Sequence, residues 1–494
     1  MGIPSGTYLD RMKRQLAFAT SLCLFWHGLC FVQSHELPDF GSPADSVLSK
    51  SREQQLGRQV MLQLRDAGVI IEDPLLSEYV RVIGSQLASQ VNDGDFKFEF
   101  FVVDDSEINA FALPGGFVGI NAGLIMASEN ESELAGVLAH EISHVTQRHI
   151  ARSIYENQRA SLVSTAAMLA AVLLGAAADL GGNATTGLVT AAQAAGAQQQ
   201  INFTRAHEAE ADRVGMDVLA RSGFDPNGMA TFFEKLSRGG SLSSESVPEM
   251  LQTHPVTTGR IAEARARVRQ LPPVKHEDSD QYGLAKARLQ VLTAPTPDRA
   301  LELFEARGPS AKLGDRYGLA LALVGVSRND EAERMFHDLV AENPHIVAFR
   351  IGQAEALMRS GLTEQALEVY SEALKLSPRH IALVISYAEA LIAAGQPARA
   401  HEMLLDLLNN VPATPAQIAL LARAANAEGD VVSAYHYMSE YYASIGDLRL
   451  AMSQLRLALE SPDTTPIERA RFEARLKEFA EYLPEDERDR AANN

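Results

Sequence analysis

The chain has 494 residues, with 44 Lys and Arg against 63 Asp and Glu, for a formal net charge of −19. The length predicts two domains, and the acidic balance argues against nucleic acid as a partner and against simple electrostatic docking to anionic lipid. Both cysteines, Cys23 and Cys30, and the single Trp26 fall within the first 34 residues. Residues 1–34 read as a secretory signal peptide. Arg11, Lys13 and Arg14 form its positive region, Leu16 to Val32 its apolar stretch, and Val32-Gln33-Ser34 the cleavage site. An uncleaved anchor is disfavoured because His27 interrupts the apolar run, and a lipoprotein signal because the bulky Leu29 precedes Cys30. The mature chain is then expected to carry no thiol, which excludes a disulfide framework and a Cys-ligated metal, and a net charge of −21.

Residues 45–91 predict helices. Ala44-Asp45-Ser46 offers a cap, and Val60, Met61, Leu64, Tyr79, Val80, Val82, Ile83 and Leu87 recur at helical spacing. Asn92-Asp93-Gly94-Asp95 is a turn. Phe96 to Val103 alternates, with Phe96, Phe98 and Phe100 on one side and Lys97 and Glu99 on the other, which predicts a half-buried strand. Ala110–Leu113 and Phe117–Ile120 continue as short strands around Pro114-Gly115-Gly116.

Val137 to Arg148 contains His140-Glu141-Ile142-Ser143-His144, an HExxH. On a helix, residues four apart share a face, so His140 and His144 can bind one Zn²⁺ together, with Glu141 close enough to act on water. Glu129, Glu131 and Glu133 lie upstream, where a helix N-terminus favours negative charge. Two histidines alone would also suit a solvated helix face, so a third ligand decides. Residues 201–220 predict a second helix on which Glu208 and Asp212 stand one turn apart. Glu208 would complete a His₂Glu site with an open fourth position, and Asp212 could accept the second ring N–H of a ligand histidine. Glu210 lies about 200° around the helix from Glu208 and is expected to be solvated. His207 is read as a surface residue. His149 is a poor third ligand, because the metzincin spacing needs a Gly and a His where this chain has Gln147 and Ile150.

Between these helices, residues 160–197 are rich in Ala, Gly, Leu and Val, and Gly181-Gly182-Asn183 breaks the run. We expect a buried or surface-associated helical hairpin, with a true membrane span and a mobile lid that touches membrane or substrate as the alternatives. Residues 237–246 read as a mobile Ser/Gly-rich loop. Residues 273–281 are a linker. From residue 282 to 487 a 34-residue period appears: Pro344, Pro378 and Pro412; Ala332, Ala366, Ala400 and Ala434; Gly361, Gly395 and Gly429; Ala320, Ala354 and Ala388; Leu323, Leu357 and Leu391. This is the tetratricopeptide pattern, whose stacked helix pairs leave a concave face that commonly binds peptides or proteins.

The HExxH, the later Glu208-Ala209-Glu210-Ala211-Asp212 and the segment Asn109-Ala110-Phe111-Ala112-Leu113-Pro114-Gly115-Gly116 together resemble the HtpX/Ste-type zinc metallopeptidases. With the repeats, the chain is similar to the periplasmic protease–chaperones of that family. The resemblance implies a mostly α protein: a zincin-like α+β metalloprotease domain with a small sheet over 35–272, then an α-solenoid of tetratricopeptide repeats. It implies one Zn²⁺ per chain, ligands His140, His144 and Glu208, base Glu141 and a supporting carboxylate on Asp212. It also draws attention to His254 in Thr253-His254-Pro255, either as a fourth metal ligand or as an oxyanion donor. In zinc peptidases of this general type an extended substrate adds to a sheet edge near the metal. The implied setting is the periplasm, with outer-membrane proteins under assembly and their assembly machinery as partners. The rival expectation is a chaperone or scaffold in which the repeats bind clients and proteolysis is minor.

Overall fold

The computed structural model describes residues 43–91, 96–157, 204–242, 249–308 and 312–482. The expected signal peptide and the stretch 160–197 lie outside the described residues. Chain contacts group Ala44–Asn494 into one unit.

Helix α1 (Lys50–Asp66) is capped by Ser49, whose side chain accepts from the Arg52 amide, so the expected cap at 44–46 is instead part of a short 3₁₀ turn over Pro43–Ser46. Asp73 caps α2 (Pro74–Ala88), which buries Tyr79, Val80, Ile83 and Leu87. Val82, expected on that face, is 49% exposed. A three-stranded sheet follows: β1 (Glu99–Val103), β2 (Ala110–Leu113) and β3 (Phe117–Asn121), in the order β1-β3-β2. β1 runs parallel to β3, with Glu99 opposite Phe117, and β2 runs antiparallel, with Ala110 opposite Ile120. The hairpin turn needs Gly115 at φ +84, where a Cβ would come 2.5 Å from the Gln54 Cα.

β1 is shorter than expected and is not half-buried. Phe100 and Val102 enter one core, while Phe101 and Val103 enter a second beneath α1. A sheet covered on both faces loses the hydrophobic–polar alternation of a one-sided sheet. On the larger-core face lie α3 (Ala122–Ala127), α4 (Glu131–Thr146), α6 (Arg205–Arg221), α7 (Asn227–Leu242) and α9 (Thr258–Val268). α5 is His149–Asn157 and α8 is Glu249–Thr253. The expected loop at 237–246 is helical as far as Leu242.

The repeats are paired helices. α10 (Asp280–Leu292) and α11 (Pro297–Glu305) form a degenerate first pair, followed by α12 (Leu313–Gly325) with α13 (Asn329–Glu342), α14 (Val347–Arg359) with α15 (Thr363–Leu376), and α16 (Ile381–Ala393) with α17 (Pro397–Asn410). α18 (Pro415–Glu428) with α19 (Val431–Ile445), and α20 (Leu448–Glu460) with α21 (Pro466–Tyr482), complete the array. The periodic Ala320, Ala354, Ala388, Ala332, Ala366 and Ala400 are fully buried, which lets paired helices cross closely. Gly361, Gly395 and Gly429 take positive φ at the turns, and Ser327, one period before Gly361, takes the same region at φ 62.

The repeats grip the first half of the chain through α2. Leu75 packs against two repeat cores. Glu78 accepts from the Ala382 amide at 3.2 Å and lies 3.2 Å from the His380 Nδ1. Asp73 is held by Arg288 of α10 through Nε at 2.8 and 2.9 Å and a second nitrogen at 2.7 Å, and Arg288 also donates to the Tyr317 hydroxyl at 3.2 Å. The linker is tied down as well: the Ser279 hydroxyl donates to Glu131 at 2.7 Å, and His276 lies 3.1 Å from the same carboxylate. Arg288→Met leaves the Asp73 carboxylate buried without its partner, and is expected to lower the unfolding free energy by about 3–5 kcal/mol, read from urea unfolding. A loss under about 1 kcal/mol would show that the pair does not hold the two halves together.

Candidate metal centre

The centre is built where α4 and α6 cross. Asn130 caps α4 by accepting from the Glu133 amide at 2.9 Å, and Glu133 accepts from the Glu129 amide at 2.8 Å. Every residue from Glu131 to Val145 is buried. Gly215 on α6 faces the α4 backbone, where a Cβ would stand 3.0 Å from the Ala139 carbonyl and the His140 nitrogen. This close approach lets a glutamate on one helix reach two imidazoles on the other.

His140, His144, Glu208 and His254 bring one ligand atom each to within 4.8 Å of one another, and all four are buried. His140 Nε2 is 3.0 Å from His144 Nε2, 3.6 Å from Glu208 and 3.4 Å from His254 Nδ1. Glu208 Oε1 is 3.5 Å from His144 Nε2 and 2.9 Å from His254 Nδ1. Four tetrahedral ligands at zinc-like distances stand about 3.3 Å apart, so these nitrogen and oxygen donors fit one such ion. Glu141 is fully buried and its Oε1 lies 3.6 Å from His254 Nε2. Burial pushes its carboxyl up, against the pull of His254 and His140.

Asp212 lies 2.9 Å from His140 Nδ1 and accepts two bonds from Arg260, both at 2.8 Å. Arg260 also reaches Glu208 at 2.7 Å and lies over the Phe233 ring. Burial works against charge on His140, but Asp212 and Glu208 outweigh it and raise its pKa to about 10. Burial likewise opposes ionisation of Glu208, and His254 and His140 overcome it, so its pKa is lowered. Burial, followed by the nearby His140 and His254, drives His144 well below its ordinary range. The described structure also seats His254: Met250 of α8 is buried in the core, and the His254 amide donates to its carbonyl at 2.8 Å.

Two residues differ from expectation, and a third, His149, makes a contact the sequence did not suggest. His207, read as a surface residue, is 2% exposed and stacks on His149 with ring centroids 4.5 Å apart. Glu210, expected to be solvated, lies 3.2 Å from His149 Nε2 and accepts from Arg152 at 2.8 Å. His149 is not in the four-donor cluster, yet its Nδ1 is 2.9 Å from His144 Nδ1. Burial lowers its pKa to about 4, against the pull of Glu210. Straight helical geometry hides this contact, because the chain breaks at Arg148, whose φ is 54. Among the described residues no helix is long and apolar enough to cross a membrane.

This arrangement joins a domain built around a buried HExxH cluster to an array of paired helices. Residues 74–268 match the model of peptidase family M48, and residues 317–381 and 357–424 match tetratricopeptide-repeat models. The chain is similar to the beta-barrel assembly-enhancing protease of Escherichia coli, 40% identical over 312 residues that cover 62% of this chain and 63% of that one. It is also similar to the putative beta-barrel assembly-enhancing protease of Vibrio cholerae, 41% identical over 315 residues, 63% and 64% of the two chains. Metalloprotease LoiP of Escherichia coli is 28% identical over 262 residues, 52% of this chain and 96% of that one. The chain thus spans just under two thirds of the length of the first two relatives.

The raised His140 gives a pH signature. Its folded pKa lies above the ordinary 6.5, so the stabilisation is complete below about pH 6.5 and is lost as pH rises through about 10. Chelator-treated protein is therefore expected to lose on the order of a few kcal/mol between about pH 7 and 10 in urea unfolding. Zinc-loaded protein should lack this slope, because the metal takes the place of the proton. A flat profile in the chelated protein would contradict the assigned charge state.

Proposed function

We propose that this protein is a secreted, periplasmic zinc metalloendopeptidase that degrades or helps assemble outer-membrane protein clients held by its repeats. The observation that carries the enzymatic part is the buried set of His140, His144 and Glu208, with Glu141 beside it on α4. The client class rests on the names of the similar proteins, which describe enhancers of beta-barrel assembly. The compartment rests on the signal-peptide pattern of residues 1–34.

His140, His144 and Glu208 would hold the metal, with Asp212 fixing His140 through its Nδ1. When bound, zinc supplies a Lewis acid that polarises the scissile carbonyl and acidifies water. Glu141 takes the proton as water attacks and delivers it to the leaving amine. Burial, which makes its carboxyl a better base than an exposed one, suits it to both halves of that cycle. β2 lies at the sheet edge, and the Ala112 backbone faces Glu141. An extended substrate strand added to that edge would place its peptide bonds beside the base.

His254 would be a fourth ligand in the resting state. Its Nδ1 faces Glu208 and His140, and four protein donors close a tetrahedron that catalysis needs open. In that case the imidazole would have to leave before water could enter.

Glu141→Gln is expected to keep stoichiometric zinc and lose hydrolysis of an unfolded protein substrate, since the amide cannot accept the proton. Full activity in that variant would sink the mechanism and favour the scaffold reading. His140→Ala, His144→Ala and Glu208→Ala should each abolish tight zinc binding by metal analysis. His254→Ala should retain zinc and preserve or raise hydrolysis. A drop of about a hundredfold with zinc intact would instead make His254 an oxyanion donor.

A further inference from the structure

α4 ends at Thr146, and Arg148 then takes a left-handed conformation with φ 54. A non-glycine residue holds this conformation only where its surroundings fix it. Here the Arg148 guanidinium is fixed by Asp45, by Glu53 at 3.1 Å and by the Leu48 carbonyl. The reversal starts α5 at His149 and turns that ring back onto the last turn of α4. His149 is fully buried, with its Nδ1 2.9 Å from His144 Nδ1 and its Nε2 3.2 Å from Glu210, and it stacks on His207.

We infer that Glu210 and His149 form a relay that sets the tautomer and ring angle of His144. It is the counterpart, on the second histidine, of the Asp212 contact to His140. The inference rests on the metal reading above. Donor and acceptor counting carries it. An ionised Glu210 only accepts, so the hydrogen on His149 sits on Nε2. A neutral His149 then presents a lone pair at Nδ1. Two facing ring nitrogens at 2.9 Å need one hydrogen between them, so it belongs to His144 Nδ1. That leaves the lone pair of His144 on Nε2, the atom 3.0 Å from His140 Nε2 and 3.5 Å from Glu208. The opposite arrangement would put a hydrogen on His144 Nε2, aimed into the donor cluster, and no metal could bind there.

All three acids of the 208–212 segment then serve the centre by different routes. Glu208 contributes an oxygen directly, Asp212 acts through His140, and Glu210 acts through two imidazoles in series. His149 and Glu210 are positioning residues. Arg152 holds Glu210 at 2.8 Å, and the His207 ring fixes the plane of His149.

The test is zinc affinity, measured by competition with a chromophoric chelator, for wild type, His149→Phe, Glu210→Ala and the double variant. His149→Phe keeps a ring against His207 but removes the acceptor. It should weaken zinc binding about 10–100-fold, the range for lost partners of metal-ligating histidines. Glu210→Ala should weaken it less, and the double variant should bind like His149→Phe alone, because Glu210 acts only through His149. Affinity within twofold of wild type in folded His149→Phe would overturn the relay, as would a double variant whose losses multiply. If His149→Phe does not fold, the partly exposed Glu210→Ala decides, and unchanged affinity there overturns the relay. A wild type that binds no zinc would instead overturn the metal reading on which the relay rests.

Discussion

The structure depends on how closely α4 and α6 approach. Gly215 meets the Ala139–His140 backbone, and Gly136 of α4 faces the backbone of Met229 on α7 with equally little room. Any side chain at these points would push the helices apart. A wider separation would draw Glu208 away from the two imidazoles, which it now faces at 3.5 and 3.6 Å. Packing and chemistry are thus one constraint: residues with no side chain set the distance at which the donors meet. The electrostatics follow from the same geometry. Four ionisable groups in a dry core would repel or strand one another, but Asp212 and Arg260 balance them.

Much of this was legible in the sequence, for definite reasons. The HExxH spacing and the one-turn step from Glu208 to Asp212 are local, and helical period carries them without tertiary knowledge. The 34-residue repeat is legible because the same alanines recur wherever paired helices cross. The contacts of His149 and Glu210 were not legible. They follow from a chain reversal at Arg148 that is enforced by Asp45 and Glu53, about a hundred residues earlier. His207 was misread because it flanks a ligand on a face that looks solvent-directed until α5 folds over it. The pattern Phe96–Val103 suggested one wet face. The second core beneath α1 covers that face, and alternation in sequence cannot show that a later layer arrives.

The supporting polar shell is nearly complete. Each of the two proposed ligand histidines on α4 meets a partner at its remote nitrogen, and Arg260 links Asp212 to Glu208. Such a shell narrows the orientations the ligands can take before any ion arrives, which favours binding by lowering the ordering cost. Glu141 stands apart. It sits on the same helix turn as His140, and its environment is set by burial, by His254 and His140, and by the Ala112 backbone. Under the proposed mechanism Glu141 gains and loses a proton, and such a group gains little from rigid partners, whereas a ligand that must stay in place gains much.

The helix α10 has a bearing on how the molecule comes apart. Tyr282, Ala285 and Leu289 point into the core of the first half, while Leu284 and Ala287 of the same helix enter the first repeat core. Leu75 of α2 makes the reciprocal intrusion. Modularity in sequence is therefore not modularity in thermodynamics. A cut at the proline-rich joint would leave each fragment with a naked apolar flank, prone to self-association, rather than two tidy modules. Exchange of the distal repeats is constrained too, because α19 packs against α1 and a Cβ at Gly446 would stand 3.8 Å from the Arg58 Cβ, and α10 and α2 must change together.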